Sequence, residues 1–213
     1  MAERMAKLLY IQASPRGGRS KSIRVAEAFL EAYRQAHGDN EVDSLNVFTA
    51  DLPTFDGAVL DAKYAILHGQ QATETQRRAW HRVEMIIDRF AAAGKYLFAV
   101  PMWNFGIPYR LKQYIDVLVQ PGYTFSYDPQ EGYHGLLTGR KAALVYARGG
   151  DYSPPELAHL DMQKPYLELI LGFIGITDVR TIVVQPTLMG GPDVAGQRAD
   201  EAVEQARELA RQF

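Results

Sequence analysis

Short apolar runs alternate with longer amphipathic stretches along this chain. Residues 7–13 are almost wholly apolar (Leu8, Leu9, Tyr10, Ile11) and stop at a Ser/Pro/Gly/Arg cluster. That pattern reads as a buried strand entering a tight loop. Ser20 then stands ahead of Ile23, Val25, Ala26, Phe29, Leu30 and Tyr33, with charged residues between them. The spacing predicts an amphipathic helix that starts at a serine and ends near His37-Gly38. Residues 41–48 alternate apolar and polar (Val42, Leu45, Val47), as an outer strand does.

A turn-rich stretch at 51–57 precedes a helical pattern over 58–89, in one or two pieces, with Trp80, Val83, Ile86, Ile87 and Phe90 on one face. Residues 95–101 are short and nearly all apolar, the mark of a central parallel strand buried on both faces. A loop at 102–108 leads to a helix at 109–119. Residues 122–135, rich in Tyr, Gly and Pro, read as a long functional loop. A strand at 140–146, a helix at 154–174, a strand at 179–184 and a helix at 193–213 complete the chain. Strands that alternate with helices imply a parallel sheet covered on both faces. Right-handed crossovers make it a doubly wound, five-stranded α/β sheet. With no repeat, low-complexity segment or linker, residues 1–213 read as one domain.

Ligands of such sheets sit beyond the carboxyl ends of the strands, where strand order reverses. Three predicted loops leave those ends: Ser14–Ser22, Pro101–Pro108 and Ala147–Tyr152. Their convergence on one crevice is the strongest expectation the chain offers. The first loop suits a phosphate monoester. It precedes a helix whose free N–H groups attract an anion, and it carries Ser14, Ser20 and Ser22 with Arg16, Arg19 and Lys21. Ser20 alone is equally well a helix cap. The loop is neither a Walker A nor a Gly-x-Gly-x-x-Gly sequence, which disfavours a triphosphate or a dinucleotide. In the second loop Met102, Trp103, Asn104 and Phe105 suit a flat heteroaromatic ligand, although Trp103 and Phe105 are equally plain core residues. In the third, Arg148-Gly149-Gly150 offers a charge and two amides to a ring edge, or a simple glycine turn.

Composition narrows the chemistry. With no cysteine there is no disulfide, thiolate metal site or cysteine nucleophile. Net charge −2, from 23 basic and 25 acidic residues, gives no footprint for nucleic acid. Nor is it the strong acidity of a small electron carrier. The first residues, Met1–Lys7, do not read as a secretory signal, and no run of about 18 apolar residues suggests a membrane span. A cytoplasmic setting is the expectation. The histidines (37, 68, 81, 134 and 159) are scattered, so no metal site and no obligatory acid or base is expected. His134, inside the aromatic loop, is the one to watch.

Taken together, Ser14 with Ser20-Lys21-Ser22, Pro101-Met-Trp-Asn-Phe105, Gly122-Tyr-Thr-Phe125, Gly135-Leu-Leu-Thr-Gly139, Ala147-Arg-Gly-Gly150 and Leu171-Gly-Phe-Ile-Gly-Ile176 carry a resemblance. The chain resembles the FMN-dependent NADH azoreductases and NADH:quinone oxidoreductases of the flavodoxin-like superfamily, over nearly its whole length. The resemblance implies a flavodoxin-like fold and FMN as cofactor. It puts Ser14, Ser20, Lys21 and Ser22 around the phosphate. It puts Met102, Trp103, Asn104 and Phe105 along the ring system, and Ala147, Arg148, Gly149 and Gly150 at its pyrimidine edge. Members often carry Ser at position 147 and Tyr at position 103, where this chain has Ala and Trp.

The implied activity is ping-pong transfer of two electrons from NADH (or NADPH) to quinones and aromatic azo compounds, in a homodimer. Tyr123, Phe125, Tyr127 and Tyr133 are the candidate substrate walls, since stacking tolerates many ring systems. The residues before Lys7 are expected to be an extension with no part in the site. Three neighbouring readings stay open: a flavodoxin-type electron carrier, an NADPH-dependent FMN reductase, and a flavin-free binding domain.

Overall fold

The computed structural model describes residues 7–38 and 42–213. Residues 1–6, read as an extension, and Glu41, read as the start of the outer strand, lie outside the described residues. The order is β1 (Leu8–Gln12), α1 (Lys21–His37), β2 (Val42–Asn46), α2 (Gly57–Leu67), α3 (Glu74–Ala91), β3 (Lys95–Pro101), α4 (Tyr109–Leu118), β4 (Phe125–Asp128), β5 (Gly132–Gly135), β6 (Lys141–Ala147), α5 (Pro155–Ala158), α6 (Gln163–Phe173), β7 (Asp178–Val184) and α7 (Gly191–Arg211). The main sheet runs β2-β1-β3-β6-β7, and every neighbouring pair is parallel. The chain steps from β1 out to β2 and then back across to β3. Strand order therefore reverses between β1 and β3, and the crevice there is the expected ligand position.

Each central strand is buried on both faces, which explains its unbroken apolar sequence. Leu9, Ile11, Tyr96, Phe98, Val100, Leu144 and Tyr146 point into the layer made with α3, α4 and α6. Leu8, Tyr10, Leu97, Ala99, Ala143 and Val145 point into the layer made with α1 and α7. The α1 face that meets the sheet includes Ile23, Val25, Ala26, Phe29, Leu30 and Tyr33, the residues whose spacing predicted the helix.

The 58–89 pattern, expected as one or two helices, is two, and the second begins at a capping box in which Thr73 Oγ1 accepts from the Gln76 N–H (3.2 Å) while Gln76 Oε1 accepts from the Thr73 N–H (2.8 Å). Two stretches differ from their sequence reading. The 154–174 pattern is also two helices. Asp161 accepts from the N–H groups of Gln163 and Lys164 and so starts a fresh helix in mid-pattern. The long loop at 122–135 contains an antiparallel hairpin, Phe125 opposite Gly135 through Asp128 opposite Gly132. Its turn is closed by Asp128, whose carboxylate accepts from Gln130 and Glu131 N–H.

The foot of that hairpin presses on the turn after α6. A Cβ on Gly135 would lie 2.2 Å from the Gly175 nitrogen, and the Leu137 N–H donates to the Ile174 carbonyl at 2.9 Å. Backbone cannot yield as a side-chain tip can. Gly135→Ala is expected to cost about 3 kcal/mol, the upper end of ordinary overpacking, read as a lowered urea midpoint at unchanged slope. A midpoint equal to the parent's would show that the hairpin does not rest on this turn.

Candidate functional site

The first loop ends in a single 3-10 turn, Gly17–Arg19, that delivers Ser20 to the start of α1 in extended backbone. Ser20 does not cap the helix: its side chain makes no bond to the first-turn amides. The hydroxyls of Ser20 and Ser22 instead pair at 3.1 Å. All three serines of the loop are buried (Ser14 1%, Ser20 4%, Ser22 0% exposed), although polar side chains are seldom buried without purpose. Ser14 and Ser20 face a crevice that Arg16, Arg19 and Lys21 also line, and among the described residues no carboxylate lines it. Among the described residues no acidic group lies within ion-pair distance of these three cations. Uncapped helix amides, buried hydroxyls and unopposed positive charge are the chemistry that a phosphate group would require. Ser22 lies behind this surface and holds Ser20 rather than lining the crevice.

The second loop supplies the opposite wall. Pro101, Met102 and Trp103 line the same crevice. Trp103 and Gly106 exchange two main-chain hydrogen bonds of 3.0 Å, and Asn104 and Phe105 between them take left-handed backbone (φ 48° and 68°). Two successive residues other than glycine in that region are uncommon and collect at functional sites. The turn pushes Trp103 (37% exposed) and Phe105 (46%) outward, so neither is a core residue. The loop is braced at both ends, by Met102 N–H to the Ala147 carbonyl (2.8 Å) and by Met162 N–H to the Phe105 carbonyl (3.0 Å).

The third loop brings Ala147 and Gly149 to the crevice, but its charge goes elsewhere. Arg148 is 4% exposed and its guanidinium turns inward. It donates to Asp161 (2.6 Å), to Gln163 Oε1 (3.0 Å) and to Gln185 Oε1 (3.1 Å), while Gln163 in turn donates to the Val100 carbonyl (3.1 Å). The expectation that this loop presents a positive side chain to a ligand is corrected here: the loop offers amides and small residues only. The enclosed part of the crevice measures about 200 Å³. That is below the 300–1,000 Å³ typical of a whole ligand pocket, so a flat ring system would rest partly on the open rim.

The candidate substrate aromatics stand apart from this crevice. Tyr123 faces α3: its hydroxyl donates to Glu84 (2.7 Å) and accepts from the Trp80 indole (3.1 Å), and burial pushes the phenol up from its ordinary pKa. Phe125 and Tyr133 pack against Phe173 of α6 at 4.8 and 5.5 Å, and Tyr127 lies 5.0 Å from Tyr133 in the open. His134 stands on the hairpin beside Glu131 at 3.4 Å, away from the crevice. Sequence reasoning missed Thr187 and Leu188, which line the crevice from the loop after β7. Their one signal is topological, since that loop leaves the carboxyl end of the fifth strand.

A doubly wound parallel sheet of order β2-β1-β3-β6-β7, with uncapped amides and buried hydroxyls at its first helix and an apolar rim at its switch point, is the arrangement of the flavodoxin-like class of α/β proteins. A family model described as the flavodoxin-like fold matches residues 6–210. The FMN-dependent NADH:quinone oxidoreductase of Nitratidesulfovibrio vulgaris (strain DP4) is 53% identical over 210 residues, which cover 98% of this chain and all of that protein. Within the flavodoxin-like class, the chain belongs to the family of FMN-dependent NADH:quinone oxidoreductases and azoreductases. Among solved structures, an azoreductase from Bacillus anthracis str. Sterne superposes with a TM-score of 0.90 at 32% identity, over 98% of this chain and 100% of that one. An FMN-dependent NADH-azoreductase from Bacillus anthracis str. Ames Ancestor, solved in complex with FMN, does so with 0.86 at 31% identity, over 97% and 100%.

Proposed function

We propose that this protein is an FMN-dependent oxidoreductase that passes two electrons from NADH to quinones and aromatic azo compounds. One observation carries the reading: the first three loops meet in one crevice whose donor set suits a phosphate monoester at one end and a flat ring at the other. The donor chemistry fits FMN. Ser14, Ser20, the first-turn amides of α1 and Lys21 would hold its phosphate, with Arg16 and Arg19 at the mouth. Met102 and Trp103 would lie along the ring, Asn104 and Phe105 would offer amides to its polar edge, and Gly149 and Gly150 would offer theirs to the pyrimidine end. When bound, FMN supplies two-electron transfer between a reduced nicotinamide and an acceptor.

The chain's own part is to orient and shield. Turnover is proposed to need no obligatory side-chain acid or base; the described residues that line the crevice are serine, threonine, arginine, lysine, glycine and apolar side chains. The exposed rings of Trp103 and Phe105 favour flat acceptors of many kinds, because stacking is tolerant of ring system. The names of the relatives support NADH as the donor. A reductase that draws on NADH suits a cytoplasmic setting, and no helix among the described residues is long and apolar enough to cross a membrane.

The working unit is proposed to be a homodimer. Beside the rim runs an apolar groove of about 460 Å³, lined by Gly106, Ile107, Met162, Pro165, Tyr166 and Leu169. Met162 (60% exposed) and Leu169 (71%) leave a large apolar area open, which supports a second copy as its cover. Tyr127 and Tyr133, equally open, are then available to a partner's site.

The test is steady-state oxidation of NADH by the FMN-loaded protein with a quinone and no partner protein. Double-reciprocal plots at several quinone concentrations are expected to be parallel, as a shared site filled in turn requires. Reduction that needs a second protein would favour the electron-carrier reading. Release of free reduced flavin would favour the FMN-reductase one.

A further inference from the structure

The loop after β7 carries no charge, yet it is fastened with unusual care. Thr187 N–H donates to the Arg148 carbonyl (2.8 Å), and Leu188 and Met189 N–H both donate to the Gly149 carbonyl (3.0 and 3.1 Å). The buried Arg148 guanidinium adds a bond to Gln185 (3.1 Å). Residues 185–189 are therefore tied to the third loop through main-chain and side-chain bonds. Leu188 sits so close that a Cβ on Gly149 would lie 2.9 Å from its Cδ1, and a Cβ on Gly150 would meet the Met189 sulfur at 3.4 Å. The Gly149-Gly150 pair is thus small in part because this loop closes down upon it.

Despite that anchoring, Leu188 is 75% exposed and lines the crevice together with Ala147, Gly149 and Trp103. A lone exposed leucine needs no explanation. One pinned by its own main chain at the rim of a ligand crevice is placed where a flat ring can cover it. Thr187, half-buried in the same crevice, has a hydroxyl with no hydrogen-bond partner among the described residues. We propose that residues 185–189 form a fourth wall of the ligand site, with Leu188 packed against the flavin ring system and the Arg148–Gln185 bond as the latch. The inference rests on the FMN reading and extends it to a loop not yet given a role.

Apo-protein titrated with FMN and with riboflavin, read by flavin fluorescence, tests it. Leu188→Ala is expected to weaken both flavins by the same factor, about tenfold, as loss of a ring contact should. Its melting temperature should equal the parent's, because the side chain is open in the apo-protein. Met85→Ala, at another open position on α3 (59% exposed), is expected to change neither affinity. The wall is refuted if Leu188→Ala binds FMN within about twofold of the parent, a change too small for a packed contact. It is also refuted if Leu188→Ala weakens FMN alone, since that would put the contact at the phosphate. A parent protein that binds neither flavin would refute the FMN reading itself, and the wall with it.

Discussion

Replacing Arg148 with Met is expected to cost about 3–5 kcal/mol, the range for breaking a buried ion pair from one side. The pair is Arg148 with Asp161, 4% and 13% exposed, at 2.6 Å. Methionine matches much of the arginine stem but leaves the carboxylate charged in a poor medium for charge. Asp161 keeps the amides of Gln163 and Lys164, which sets the cost within that range and no higher. Gln163 and Gln185 would each lose a donor as well. For a chain of this length the loss corresponds to a fall in Tm of roughly 10 °C. The damage should also reach the ligand, since the network ties the ends of β3, β6 and β7 to the start of α6. Pairing Arg148→Met with Asp161→Asn should recover part of the loss by removing the stranded charge. A loss under about 1 kcal/mol would resemble an exposed pair and would mean that the guanidinium is free to face a ligand.

The second large effect concerns the phosphate end. Lys21 opens α1 and lines the crevice. Lys21→Glu reverses a charge beside the position assigned to a dianion. FMN affinity is expected to fall about 100-fold, near 2.7 kcal/mol, while riboflavin affinity stays unchanged. Folding should not suffer, because a glutamate suits the first turn of a helix. The comparison is informative because riboflavin keeps the ring and lacks the phosphate. Equal losses for both flavins would place Lys21 at the ring, against the geometry. The FMN effect should shrink in high salt, since Lys21 is only half-buried and solvent ions can screen it.

Much of this was legible in the sequence for a plain physical reason. Residues 96–100 and 142–146 are buried in strands covered on both faces, so each of these positions is apolar and only the lysines at the strand starts break the pattern. The buried serines and cations of the first loop were legible as a cluster because hydroxyls, glycines and cations stand together just before a helix. The hairpin β4–β5 was not: its strands are four residues long, and Tyr127 and Tyr133 are exposed where a buried face would be apolar. The direction of the Arg148 charge was hidden too. Its partners Asp161, Gln163 and Gln185 stand 13, 15 and 37 residues away, and nothing local distinguishes an inward arginine from an outward one. The direction of Tyr123 was hidden for the same reason, because Trp80 and Glu84 reach it from α3. Thr187 and Leu188 escaped notice because their contribution is position alone.

The most direct test of the site is retention of FMN through gel filtration of the apo-protein mixed with one equivalent, followed by anaerobic addition of NADH and then of a quinone. The expected result is a yellow protein with one flavin per chain, bleached by one equivalent of NADH and restored by the quinone. Flavin that elutes free of a folded protein would contradict it.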